Sequence, residues 1–372
     1  MNSERRRIVI QALLFITTII TTTLAGSEWT YGRSVFMPDY SWQDFRSGLA
    51  YSIPFLLFLT AHELGHYFAA MYHNVRATLP YYIPIPPLPF SIGSMGAIIR
   101  LQQKIHSKKH NFDIGLAGPL AGFVMALAIL LYGFTHLPPP EYIFEIHPEY
   151  EEYGLAYGEI VYNTQKQNVL DVTIGKNLLF MFFENFVADP SRVPNAHEFM
   201  HYPLLFAGYL GLLFTWLNLL PIGQLDGGHV SYGLFGFKTH RIIASILFVV
   251  LLFYSGLGVV NPRDTPENLM YWIPGFILFL YLALTGLGLS KRDTIMYALL
   301  IFAAQLLITW LLPNVEGYPG YLIFIFIVGR FIGIQHPPSD IEEPLDTKRV
   351  ILGWIALLIF ILCFSPAPIV FK

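Results

Sequence analysis

The sequence predicts an all-α polytopic membrane protein of about nine transmembrane helices, with a short membrane-associated β edge near the candidate active site. Three observations carry this. Of 372 residues, 54% are hydrophobic and only 13% are charged, and the mean hydropathy is +0.52. That leaves too little polar surface for a soluble chain of this length. Several apolar runs reach the roughly 20 residues that a helix needs to cross a bilayer. Finally, the lysines and arginines between those runs divide unevenly when the intervening loops are assigned to alternate sides.

The expected spans are 8–25, 49–72, 112–135, 203–222, 241–260, 271–289, 294–312, 319–335 and 350–365. The run LLFMFFENFV at 178–187 is too short to span and is interrupted by Glu184 and Asn185, so it reads as a re-entrant or interfacial helix. With the N-terminus on the cytoplasmic side, that side receives Arg5, Arg6, Arg7, Arg76, Arg100, Lys104, Lys108, Lys109, Lys238, Arg241, Lys291, Arg292, Lys348 and Arg349. The other side receives Arg33, Arg46, Lys166, Lys176, Arg192, Arg263 and Lys372. Fourteen against seven favours a cytoplasmic N-terminus. The chain then divides into an N-terminal span and outer loop (1–48), a first core part (49–135), an extracytoplasmic insert (136–202), a second core part (203–240) and C-terminal helices (241–372). The insert carries the acidic stretch EIHPEYEEYGLAYGE, which reads as a solvated face.

A single cysteine, Cys363, excludes an internal disulfide and a cysteine-rich metal cluster. A net charge of −3 gives no nucleic-acid character. The opening MNSERRR precedes a long apolar run without a small-residue cleavage site, so a retained first span is expected; the expected location is a prokaryotic cell membrane. No internal repeat is evident, which weakens an inverted-repeat transporter reading. Proline clusters at 84–89, 138–140 and 337–338 mark stiff loops.

The stretch LLFLTAHELGHYFAAMY (56–72) places His62, Glu63 and His66 inside an apolar run. Titratable groups at membrane depth are costly and usually have partners. On a helix, residues four apart share a face, so His62 and His66 can offer two imidazoles to one metal ion. Glu63 is placed to face a water rather than the ion. This is the H-E-x-x-H arrangement of zinc hydrolases, in which the metal brings the pKa of a water to about 7 and the carboxylate takes its proton. A catalytic zinc needs a third protein ligand. Polarity next enters an apolar run at FTWLNLLPIGQLDGGHV (214–230), where Asp226 and His229 are both candidates and the spacing favours Asp226. Pro221 and the Gly227–Gly228 pair permit broken backbone at membrane depth.

The pairing of HELGH with a later N-x-x-P-x-x-x-L-D-G, here Asn218, Pro221, Leu225, Asp226 and Gly227, resembles the site-2 protease family of intramembrane zinc metalloproteases. The resemblance extends to FDIGLAGPLAGF (112–123) and is strongest over 55–125 and 203–232. LPYYIPIPP, GSMGAIIRL and a late HPP loop place it nearest the bacterial, cyanobacterial and chloroplast branch, and no PDZ domain is evident. The resemblance implies one zinc per chain, held by His62, His66 and Asp226, with Glu63 as general base and acid. It gives His229 no ligand role. It implies hydrolysis of a transmembrane protein substrate within the lipid bilayer, with Asn218 assisting at the substrate carbonyl.

The remaining motifs fit around that core. GSMGAIIRL (93–101) can form an extended edge to which an unfolded substrate segment adds as a strand. Gly115, Gly118, Ala121 and Gly122 form a small-residue face suited to close helix packing. His336, Pro337 and Pro338 form a cytoplasmic loop with no evident chemistry. Two rival readings are a membrane metal transporter that uses these residues as a transit site, and a catalytically silent membrane scaffold. Neither accounts well for an intact Glu63 beside the paired histidines.

Overall fold

The computed structural model describes residues 3–164 and 171–371. Lys166 and Lys372 of the charge tally lie outside the described residues. The chain gathers into two units: Met1–Ile105, Ala117–Leu217 and Leu358–Lys372 form the first, and His106–Leu116 with Asn218–Leu357 form the second.

Thirteen α-helices are described, and each of the nine expected stretches holds one. In chain order they are α1 (Ser3–Tyr31), α2 (Trp42–Ser47), α3 (Leu49–Tyr72), α4 (Lys108–Thr135), α5 (Ile143–Ile146), α6 (Tyr157–Thr164) and α7 (Leu178–Phe186). Then follow α8 (Pro203–Asn218), α9 (Asp226–Ser255), α10 (Pro266–Leu284), α11 (Lys291–Leu311), α12 (Tyr321–Ile327) and α13 (Thr347–Cys363). Five of them, α1, α4, α9, α10 and α11, are long and apolar enough to cross a membrane, so the count of nine is not reached. The shortfall has local causes. The run in α3 is diluted by the polar residues of TAHELGH. Helix α8 has 16 residues and stops at Asn218, short of Pro221. Helix α12 has 7 residues and continues into a π turn, Val328–Ile332. Helix α13 has 17 residues.

In the first unit, α1 carries a run of threonines whose hydroxyls bond back to carbonyls one turn earlier, as Thr18 does to Leu14 and Thr23 to Ile19. This satisfies polar groups inside an apolar helix. The Thr22 and Ser52 hydroxyls meet at 2.6 Å and tie α1 to α3. A two-stranded antiparallel sheet follows, β1 (Tyr81–Pro84) with β2 (Ser94–Ile98), its register slipping between Tyr82 and Pro84. It packs on α1, where Thr21 donates to the Gly93 carbonyl at 2.7 Å. The expected short β edge is therefore present. Helix α7 is the short helix expected at 178–187. It is capped by the Asn177 side chain on the Phe180 amide, and Glu184 pairs with Lys176 at 2.6 Å. A second small sheet pairs β3 (Val172–Ile174) with β4 (Ile369–Phe371), and Trp216 stacks on Phe360 and packs against a tilted Phe364.

In the second unit, α10 and α11 pack together, and buried Gln305 of α11 donates to the Phe253 carbonyl at 2.8 Å. That carbonyl lies in the last turn of α9, where no intrahelical donor remains. Helix α9 itself breaks at Gly236, which has φ 75° and ψ 172°. This backbone region is essentially reserved for glycine and costs other residues about 1–3 kcal/mol. Gly236→Ala is expected to lower stability by that order, read as a lower thermal midpoint in detergent, whereas Gly275→Ala, at an ordinary helical position with open space around it, is expected to leave the midpoint unchanged.

Candidate metal centre

Helix α3 begins after Gly48 and runs to Tyr72 with Pro54 inside its second turn, where the proline removes the i+4 donor of the Ala50 carbonyl. Its apolar side chains Tyr51, Phe55, Phe58 and Leu59 are buried. They carry the helix into the interior and take His62, Glu63 and His66 with it. These three are 5%, 6% and 8% exposed. The Nε2 atoms of His62 and His66 face each other at 3.0 Å, and a Glu63 carboxylate oxygen lies 4.0 Å from His62 Nε2. Two donors at about 2.0–2.1 Å from one tetrahedral zinc are about 3.3 Å apart, so the imidazole pair fits a shared ion. The carboxylate stands beside the pair.

What holds the imidazoles is a helix face that sequence reasoning took for packing alone. A Cβ built on Gly118 would lie 2.1 Å from His66 Nε2, and one on Gly122 would lie 3.1 Å from His62 Cβ. A Cβ on Gly65 would lie 2.5 Å from the Ala117 carbonyl oxygen. Helices α3 and α4 thus meet backbone to backbone, and the histidines fill the space that glycine leaves. The spacing 118, 122 on one face was the available signal. On the other side, the Thr60 hydroxyl bonds the Tyr82 hydroxyl at 2.7 Å, which fastens β1 to α3 two residues before His62.

The other expected residues lie in the second unit. Asn218 closes α8 and is half-buried. Asp226 opens α9, where a carboxylate suits the helix N-terminus. The backbone between them turns tightly, with Gly223 at φ 57°. Gly227 and Gly228 fit against the carbonyls of Leu219 and Gly223, from which a Cβ would be 1.9 and 2.1 Å. The LDGG glycines are therefore what lets α9 start so soon after α8 ends.

His229, one turn after Asp226, bonds His336 through its Nδ1 at 2.8 Å. His336 is 2% exposed, stacks on Tyr232 at 4.2 Å and donates from Nδ1 to the Pro337 carbonyl. Burial lowers its pKa, which favours the neutral ring. The Tyr232 hydroxyl also bonds Glu342 and receives the Ser339 amide. Ser107 and Lys109, at the start of α4, both bond Glu343. The HPP loop, which had no role in the sequence, thus clamps the beginnings of α4 and α9.

Gly118→Ala adds a single methyl against His66 and leaves every expected ligand in place. Changes to groups that orient ligands typically cost 10–100-fold in metal affinity. Titration of the purified protein with a competing chelator is expected to show a loss of that size, with Ala121→Gly as the control near wild type.

The family model for peptidase family M50 matches residues 50–254. Among curated proteins, the chain is 29% identical over 278 residues to the probable zinc metalloprotease EGY1, chloroplastic, of Arabidopsis thaliana, covering 70% of this chain and 45% of that protein. It is 28% identical over 257 residues to the probable zinc metalloprotease EGY2, chloroplastic, of the same plant, covering 64% and 41%. It is 26% identical over 227 residues to the EGY2 protein of Oryza sativa subsp. indica, covering 56% and 36%. The chain therefore spans less than half the length of these relatives. All three carry chloroplast names, so the expectation of a prokaryotic cell membrane gains no support from them. No solved structure matches. The match across both motif regions, over more than half of the chain, together with the paired imidazoles and carboxylate on α3, places this membrane protein in peptidase family M50.

Proposed function

We propose that this chain is a zinc metallopeptidase that hydrolyses peptide bonds within or near transmembrane segments of other membrane proteins. The observation that carries the reading is the triad on α3: two buried imidazole nitrogens 3.0 Å apart with a carboxylate 4.0 Å from one of them. Membership of the family and the zinc-metalloprotease names of the relatives support zinc and proteolysis. His62 and His66 hold the metal, and Asp226, from the L-D-G motif, is the third ligand. When bound, zinc acts as a Lewis acid toward water and the scissile carbonyl.

The chain's own groups do the rest. Glu63 takes a proton from the attacking water and delivers it to the leaving amine. Its burial keeps bulk water from competing for that proton. Asn218 donates its amide to the substrate carbonyl as charge develops there. The substrate must be extended where it is cut, although it arrives as a helix. Among the described residues β2 pairs with β1 alone, and the other edge of β2 receives the substrate as an added strand. The Thr60–Tyr82 bond keeps that sheet in register with His62.

The same reading sets the orientation. The N-terminus and the β1–β2 hairpin are cytoplasmic in this reading, and 136–202 is on the opposite side of the bilayer. Cut and positive charges then share a side. Cysteines placed at Lys104 and Glu151, both exposed, are expected to react with an impermeant reagent from opposite faces of sealed vesicles. Buried Cys363 stays silent. Reaction from one face would break the span map.

Glu63→Gln separates chemistry from binding. It keeps the volume and removes the base. General acid–base groups contribute about 10²–10⁴-fold, so cleavage of a membrane-embedded substrate should fall by that order with zinc content unchanged. Wild-type cleavage by this variant would defeat the assignment. Loss of zinc in proportion to activity would make Glu63 a ligand and favour a transit site.

A further inference from the structure

The insert holds a second set of metal-ligating side chains. His147 follows α5, while Glu198 and His201 sit in the turn that leads into α8. One ligand atom from each lies within 4.8 Å of the other two. Glu198 is 0% exposed. Its Oε1 accepts from the Tyr162 hydroxyl at 2.6 Å, while its Oε2 is buried without a hydrogen bond. A buried carboxylate oxygen in that state is costly unless a cation meets it.

The two imidazoles meet this oxygen with the wrong polarity for hydrogen bonding. His201 Nδ1 lies 2.8 Å from the Thr30 carbonyl oxygen, which can only accept, so Nδ1 carries the proton. His147 Nδ1 lies 3.0 Å from a Glu149 carboxylate oxygen, which fixes the same tautomer. In neutral rings both Nε2 atoms are then bare acceptors. They face each other at 3.3 Å, and His201 Nε2 is 3.5 Å from Glu198 Oε2. Three lone pairs therefore converge with no hydrogen between them. These two separations match the edge of a tetrahedron around zinc, about 3.3 Å for donors at 2.0–2.1 Å, and His147 lies within 4.8 Å of Glu198. Each imidazole also donates its far N–H to an oxygen, the pattern of metal-bound histidine.

We propose that His147, His201 and Glu198 form a second metal site that takes a divalent transition ion of the zinc class. The fourth position opens on a cavity of about 180 Å³ lined in part by Glu28, Trp29, Tyr162 and His197, which gives the ion a way in and a place for a water. The ion joins three parts of the first unit: the end of α1 through Thr30, the helical turns of the insert through His147, and the start of α8 through His201. It is a structural staple of the insert, independent of the proposed proteolytic centre.

Metal counting on the purified full-length protein tests this. After loading with zinc(II) and dialysis, about two zinc per chain are expected. His62→Ala with His66→Ala should retain one, and adding Glu198→Gln and His147→Gln to that background should remove it. Zinc(II) should raise the thermal midpoint of the His62→Ala, His66→Ala form, and the rise should vanish with His147→Gln, a partly exposed position. A His62→Ala, His66→Ala form with no zinc and no thermal response would overturn the proposal, leaving a protonated His147 between the two acceptors. Retention of one zinc after the Glu198 and His147 changes would overturn it too. The proteolytic reading fails on different results, namely zinc lost from neither site when His62 and His66 are replaced.

Discussion

Two imidazoles and a carboxylate buried one after another in an apolar helix are the constraint around which the first unit is built. An uncompensated charge there would cost several kcal/mol, so the surrounding structure has to supply partners and a fixed geometry. It does so with the absence of side chains as much as with their presence. Gly118 and Gly122 leave room for rings that have few alternatives. Gly65 brings the two backbones together. The Thr60 hydroxyl donates to the Leu56 carbonyl and accepts from Tyr82, so the same turn of α3 holds both the histidines and the hairpin. A larger residue at Gly118 or Gly122 meets the histidine side chains, whereas one at Gly65 meets the Ala117 backbone and pushes the helices apart.

Helical content and the α3 triad were legible because both are local. Apolar runs set the helices, and the i, i+4 rule put His62 and His66 on one face. The number of membrane-crossing helices was not legible, because hydropathy does not show where backbone stops being regular. Helix α8 ends at Asn218, and α12 passes into a π turn. The role of the HPP loop was hidden for a different reason. His336 meets His229, and Glu343 meets Ser107 and Lys109, across more than a hundred residues of sequence. The acids of the 141–159 stretch are exposed, as a solvated face requires, but composition does not show that His147 within it turns inward toward a histidine 54 residues later, or that Glu198, beyond the stretch, is fully buried.

The start of α9 shows how little freedom the second motif has. Asp226 follows a turn in which Gly223, Gly227 and Gly228 all approach carbonyl oxygens closely. One turn later His229 is bonded to His336, and beyond it Tyr232 is bonded to the 339–342 backbone and side chains. A carboxylate at this position is held by a rigid first turn rather than by a loop, which fixes its direction. The sequence shows the glycines, and the structure shows that they serve the turn.

Histidine pairs in this protein supply their own comparison. In the His229–His336 pair the roles are complementary. His336 has its Nδ1 proton on the Pro337 carbonyl, so its Nε2 accepts, and the His229 Nδ1 donates to it at 2.8 Å. That is an ordinary N–H···N hydrogen bond, and it needs nothing between the rings. The His147–His201 pair has both Nδ1 protons committed elsewhere. Its Nε2 atoms stand 3.3 Å apart, wider than the bonded pair and set for a shared electrophile. Glu198 adds a third acceptor on the same side of His201. The difference between the pairs is where each ring's proton is held, and that is decided by the oxygen behind the ring rather than by the histidines themselves.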